Sequence, residues 1–257
     1  MFIAHLKYDI PTLKACAATC FCWYNIAIPH LHRTLVLRGW SSKKYRNQRS
    51  DLLPSLFKLA LLPFVEQLQF RGAFSVIFDS KNTRYLRAMV NLQTLTIGDL
   101  NFSKFPAGFG KHLGHFAPTL RSVSLSWPEG TRRQLLDFFR LFPKLDDIEI
   151  SCYDARRDAY ERLDNKIVPT SGGFRGRLTL NMFGEEGLLE DMVIAFGRMR
   201  FTVMELRKSR GMRLLLGACA DTLEVLRISP EDMYYPIANP SKVFFSPRKH
   251  TISSNLT

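Results

Sequence analysis

The chain has 257 residues, 46% of them hydrophobic, which is enough apolar surface for one extended domain with a substantial core and a small helical unit beside it. Its 36 lysines and arginines against 23 aspartates and glutamates give a formal charge of +13, a balance that would suit a polyanionic partner. Five cysteines do not suggest a disulfide framework: Cys16, Cys20 and Cys22 crowd one predicted helical stretch, Cys152 and Cys219 stand far away and singly, and a reducing compartment is expected.

Residues 1–38 read as a short helical unit. Pro11 suits a first helical position because no amide donor is needed there, and Asp9 can take up exposed amides of the first turn. Pro29 is expected to close the segment. Between them Leu13, Cys16, Ala17, Cys20, Trp23, Tyr24 and Ala27 recur at three- and four-residue steps, the spacing of one helix face. That is more apolar surface than a lone helix pair can bury. The uncharged stretch from Ala15 to Ile28 is too short to span a bilayer and is interrupted by Thr19 and Asn25. Asp9 ahead of it, with no small-x-small pattern behind, makes a poor signal peptide. No membrane partner is expected, and the cytoplasm or nucleus is the expected location.

With Ile3 and Leu6 ahead of it, the run Leu13, Cys16, Cys20, Trp23, Ile26 and then Pro29-His30-Leu31-His32-Arg33-Thr34-Leu35 resembles the back two-thirds of an F-box. It looks most like the version in fungal F-box proteins that carry degenerate leucine-rich repeats, and Cys20 to Tyr24 is its most specific part. The family's opening Leu-Pro and acidic residue have no counterpart, so the unit reads as N-terminally shortened and incomplete. The resemblance implies binding to the small adaptor subunit of an SCF-type cullin ubiquitin ligase, through Ile3, Leu6, Leu13, Cys16, Cys20 and Trp23. An ordinary amphipathic helix pair capping a repeat array is the alternative.

Residues 39–63 read as a basic linker and helix, with Lys43, Lys44, Arg46 and Arg49 in the linker. From residue 64 to 230 one short pattern returns, Leu-x-x-Leu-x-Leu with apolar replacements. The copies are Val65, Leu68, Phe70; Leu92, Leu95, Ile97; Leu120, Val123, Leu125; Leu145, Ile148, Ile150; then, more weakly, Leu178 and Leu180; Phe201, Met204, Leu206; Leu223, Leu226, Ile228. Successive middle positions are 22–30 residues apart, close to the leucine-rich-repeat period. The residue between the last two apolar positions must face the other side of a strand. In order these are Gln69, Thr96, Ser124, Glu149, Thr179, Glu205 and Arg227, all polar. The pattern predicts an α/β chain: parallel strands with one buried and one wet face, and outer helices at Gln134–Leu141, Leu188–Phe196 and Met212–Cys219. An irregular leucine-rich-repeat horseshoe fits it, and an ordinary three-layer parallel sheet would satisfy the same alternation. Residues 231–257 show no period and are expected to be poorly ordered. No capping repeat is visible, so the chain reads as shortened at both ends.

Catalytic signatures are missing. Gly108-Phe109-Gly110-Lys111 has Phe105 where a phosphate loop needs its first glycine and His112 where it needs Ser or Thr, and reads as a turn. His30 and His32 could share one side of an extended segment, but no third ligand is near; neither they nor Cys20-x-Cys22 make a metal site, and no cofactor is implied. The acidic pairs Asp146-Asp147, Glu185-Glu186 and Glu190-Asp191 read as solvated charge. The reading that results is a non-catalytic receptor: the helical unit docks the adaptor and its cullin scaffold, and the seven polar strand residues contact an unknown protein client. A basic repeat protein that binds nucleic acid is the second reading, set lower because the aromatic residues occupy apolar repeat positions instead of interleaving with the charges. A small α/β enzyme is the third.

Overall fold

The computed structural model describes residues 6, 9–38, 59–71, 83–98, 100–102, 109–126, 128–151, 154–155, 174–181, 187–197, 199–207 and 212–229. Ile3, the basic linker residues Lys43 to Arg49, Cys152, Glu185-Glu186 and the 231–257 tail lie outside these. The chain opens as expected. Asp9 caps helix α1 (Ile10–Thr19), accepting from the Thr12 amide at 3.1 Å and the Thr12 hydroxyl at 2.7 Å, with Pro11 in the first turn. Those two bonds hold the Asp9 carboxyl below its usual pKa.

The single stripe read from the sequence is divided. Cys20 takes an extended conformation (φ −160°, ψ 167°), ending α1 and opening α2 (Phe21–Leu31). The break changes which residues face inward: Leu13 and Ala27 meet in a small core with Leu6, Ala17 and Leu31 packed against it, while Trp23 and Tyr24 turn outward. Pro29 does not close the segment. It sits inside the last turn of α2, where it removes one ladder bond, and the helix ends at His32, whose amide donates to the Ile28 carbonyl at 3.0 Å.

Eight strands then form one parallel sheet: β1 (Thr34–Arg38), β2 (Gln67–Arg71), β3 (Thr94–Gly98), β4 (Ser122–Ser126), β6 (Asp147–Ser151), β8 (Arg175–Asn181), β9 (Arg200–Arg207) and β10 (Val225–Ser229), neighbours in that order. Two short strands, β5 (Glu129–Gly130) and β7 (Asp154–Ala155), pair separately in parallel, and Asn101 bridges to Glu129 beside them. Sequential order matters. A doubly wound three-layer sheet reverses its strand order part-way to place helices on both faces. Here the strands follow one another in the same direction, and a constant hand of crossover then sets the described connecting helices on one face.

Register aligns the repeat. Leu35, Leu68, Leu95, Val123, Ile148, Leu178, Met204 and Leu226 are partners across successive ladders. The six from Leu68 to Met204 are fully buried, in one core with Phe70, Ile97, Leu125, Ile150, Leu180 and Leu206. Each such side chain contributes roughly 1.5–3 kcal/mol on burial. A backbone signature repeats with them: the carbonyl of Arg33 accepts from the amides of Glu66 and Gln67, that of Glu66 from Gln93 and Thr94, that of Gln93 from Arg121 and Ser122, and that of Arg121 from Asp146 and Asp147, all at 2.7–3.0 Å.

The sheet begins one strand earlier than the pattern suggests. Residues 34–38, assigned above to the helical unit, are β1. The signal was hidden because His32 stands at the first apolar position and Val36 at the polar one. Among the connections are α3 (Thr83–Ala88), α4 (Phe109–Leu113), α5 (Arg132–Arg140), α6 (Leu188–Phe196) and α7 (Met212–Cys219). The last three match the expected helices to within two residues. Thr131 caps α5 in a reciprocal box with Gln134, its hydroxyl accepting from the Gln134 amide and its own amide donating to Oε1 of Gln134. Gly110 and its neighbours form the short helix α4, not the expected turn.

Candidate interaction surfaces

Strand alternation sends one residue in two away from the core, and the sequential ladders line those residues up. Val36, Gln69, Thr96, Ser124, Glu149, Thr179, Glu205 and Arg227 form a single row of register partners crossing all eight strands. The seven residues assigned to client contact are thus brought together on one face, six half-buried and Arg227 exposed. A parallel row one pleat toward the strand N-termini reads Thr34, Gln67, Thr94, Ser122, Asp147, Arg177, Val203 and Val225. Sequence reasoning named neither Val36 nor this second row, although the same alternation predicts both once the register is known.

Neighbouring rungs bond across the face. Thr34 donates to Gln67 Oε1 at 3.0 Å, Ser122 to Asp147 Oδ2 at 3.3 Å and Ser124 to Glu149 Oε2 at 2.8 Å, and Arg227 pairs with Glu205. The two rows change character along the sheet. From β2 to β4 they hold uncharged hydroxyls and amides; from β6 onward they hold Asp147, Glu149, Arg177, Glu205 and Arg227. Partial burial pushes the Asp147 carboxyl above its usual pKa; Arg177 and the Ser122 hydroxyl pull it back, and Glu149 and Glu205 add to the rise. These two rows hold three carboxylates against two guanidinium groups, so they do not carry the basic excess of the whole chain.

The second surface belongs to the helical unit. Phe21 is 75% exposed, Ile26 51%, Tyr24 44% and Trp23 40%, with Ile10 at 40% on α1. Trp23 and Ile26, three residues apart, share one side of α2, and Phe21 and Tyr24 share another; exposed large apolar side chains of this kind mark an interaction site. Of the residues assigned to adaptor binding, Trp23 and Cys20 are exposed, Cys16 and Leu6 are half-buried, and Leu13 is sealed in the unit's own core. Leu13 thus supports the surface without being part of it, because the break at Cys20 rotates α2 relative to α1. Phe21, Tyr24 and Ile26 were not assigned there. Their exposure follows from the same break.

The remaining candidates disperse. His30 lies in the last turn of α2 and His32 caps it, so they do not share an extended segment; no group of three or more potential metal ligands occurs among the described residues. Asp191 is not solvated charge. It is buried on α6 and reaches Arg132 of α5 at 3.1 Å, while its neighbour Glu190 is exposed. No helix among the described residues is long and apolar enough to cross a membrane. Comparison with protein-family models, curated proteins and solved structures gives no match.

Proposed function

We propose that the chain is a non-catalytic substrate receptor of an SCF-type cullin ubiquitin ligase, acting in the cytoplasm or nucleus. In this reading the eight sequential strands with their one-sided connections are degenerate leucine-rich repeats, and the helical unit is an F-box-like adaptor module. The observation that carries the proposal is the pairing of two features on one chain: the exposed apolar side chains Phe21, Trp23, Tyr24 and Ile26 on α2, and a separate polar row crossing a parallel sheet. Their chemistries suit different partners. The apolar side chains dock the adaptor by desolvation, and the polar row reads a client through hydrogen bonds and charge. Holding the client's lysines near a transferring enzyme converts a bimolecular encounter into an intramolecular one. Bond making belongs to the partner subunits.

The test is co-purification of the intact chain with the SCF adaptor. Trp23→Ala combined with Ile26→Ala should abolish association while the circular dichroism spectrum is retained, since both side chains are exposed in the free chain. No adaptor association by the folded wild-type chain would sink the proposal.

A further inference from the structure

At the N-terminal end of the open face, β8 and β9 run past the strand before them and each carry an exposed arginine. Arg175 and Arg200 are register partners across the β8–β9 ladder. Their backbones lie about 4.8 Å apart, the usual strand spacing, and both side chains are exposed. Like charges opposite one another on a sheet are destabilising. Among the described residues neither has a carboxylate partner, whereas Arg33, Arg121, Arg132, Arg140 and Arg227 each have one. Backbone geometry thus sets two planar, forked donors side by side, with no carboxylate paired to either among the described residues. Beside them lie Arg177, already offset by Asp147, and then Val203 and Val225, half-buried register partners and the apolar pair of that row.

We propose that Arg175 and Arg200, with Val203 and Val225, dock an extended acidic segment of a protein, its carboxylates held in the guanidinium forks and an aliphatic side chain resting on the valines. The inference rests on the open face being the client surface and names the chemistry of that client. Arginine suits the task because its fork matches a carboxylate bidentately. A nucleic acid fits worse. Asp147, Glu149 and Glu205 occupy the same face, and each further phosphate of a polyanion laid across it adds repulsion. A peptide can place its charges at the two forks alone.

The experiment is a fluorescence-anisotropy titration of the full chain at physiological salt against a labelled peptide alternating glutamate and valine. Comparison peptides replace glutamate by lysine or valine by serine, and an oligothymidine serves as the nucleic acid. The glutamate–valine peptide should bind best. Arg175→Gln and Arg200→Gln should each weaken it about tenfold. The exposed arginines Arg87 and Arg213 lie elsewhere, and Arg87→Gln and Arg213→Gln should change it by no more than about twofold. No binding of this peptide, equal losses from all four variants, or an oligothymidine that binds tighter through Arg175 and Arg200 would each overturn the inference. Adaptor co-purification on the same samples separates the two proposals. Peptide binding lost while the adaptor is retained in the wild type refutes this site alone; peptide binding with the predicted arginine dependence but no adaptor supports this site and refutes the receptor reading.

Discussion

Gly176→Ala should be among the most damaging single-methyl additions to this chain. Gly176 lies in β8 at φ +85°, a conformation that costs an L-residue roughly 1–2 kcal/mol. The larger penalty is steric. A Cβ there would stand 2.0 Å from the carbonyl oxygen of Asp146, the residue just before β6, against an ordinary C···O approach of about 3.3 Å. Relief requires β8 to move off β6 by more than about 1 Å. That shift stretches the Arg177 amide bond to the same Asp146 oxygen, now 2.8 Å, and strains the Thr202 hydroxyl bond to the Gly176 carbonyl, now 3.2 Å, each worth about 1 kcal/mol. The combined loss is about 3–5 kcal/mol, a large share of the roughly 5–15 kcal/mol that stabilises a typical domain. Urea denaturation followed by circular dichroism measures it. A loss below about 1 kcal/mol would show that β8 does not pass Asp146 this closely and would refute the reasoning.

The sheet was legible in the sequence because its signal is redundant. Leu68, Leu95, Val123, Ile148, Leu178, Met204 and Leu226 repeat at similar steps, each is followed by a polar and then an apolar residue, and in the fold they are one another's register partners. Any one copy could arise by chance; neighbours in the array enforce the rest. At β1 that redundancy fails, since Val36 is apolar on the open face and His32 replaces the leading apolar residue. Helical periodicity carried less information. Leu13 to Ala27 satisfy one helix face on paper, but periodicity does not register a single extended residue such as Cys20, and the one stripe becomes two faces, with Leu13 and Ala27 turned inward and Trp23 and Tyr24 outward. Asp191 was misread for a related reason. A carboxylate next to Glu190 on a helix looks solvated until the opposing helix is known to bring Arg132 within 3.1 Å.

The last strand differs from its neighbours in a way that bears on the client surface. In β3, β4 and β6 every second residue is buried, whereas in β10 Leu226 is only half-buried and Ile228 is 37% exposed. Among the described residues, nothing pairs with the outer edge of β10. Arg227 therefore stands at the least supported rung of the polar row, tied to it by Glu205, while Ser124 and Glu149 stand on rungs paired on both sides. Rigidity along the row should decline toward β10.

Core truncations test that gradient: Leu95→Ala, at a fully buried position, should cost about 2–5 kcal/mol in urea denaturation, and Leu226→Ala, at the half-buried edge, less than half as much; equal losses would refute it. On the open face, Glu149→Lys with Arg227→Glu should abolish client recovery in affinity purification while adaptor recovery and the circular dichroism spectrum hold; unchanged client recovery would remove this row as the contact surface. Stability against pH provides the last test, through Asp191. Burial between α5 and α6 is the main cause that raises its carboxyl above the ordinary value of 3.8, with Arg132 opposing and Glu190 adding to the rise. The folded chain therefore keeps this proton to a higher pH than the unfolded chain. Its contribution to stability is complete below pH 3.8 and is lost as pH rises through the raised value. Asp191→Asn preserves the shape without the titration, so the melting temperature of the wild type relative to the variant should fall across that window and then level off. A difference that instead grows with pH would mean that attraction to Arg132 outweighs burial, and the Asp191 carboxyl would then have to lie below its ordinary value.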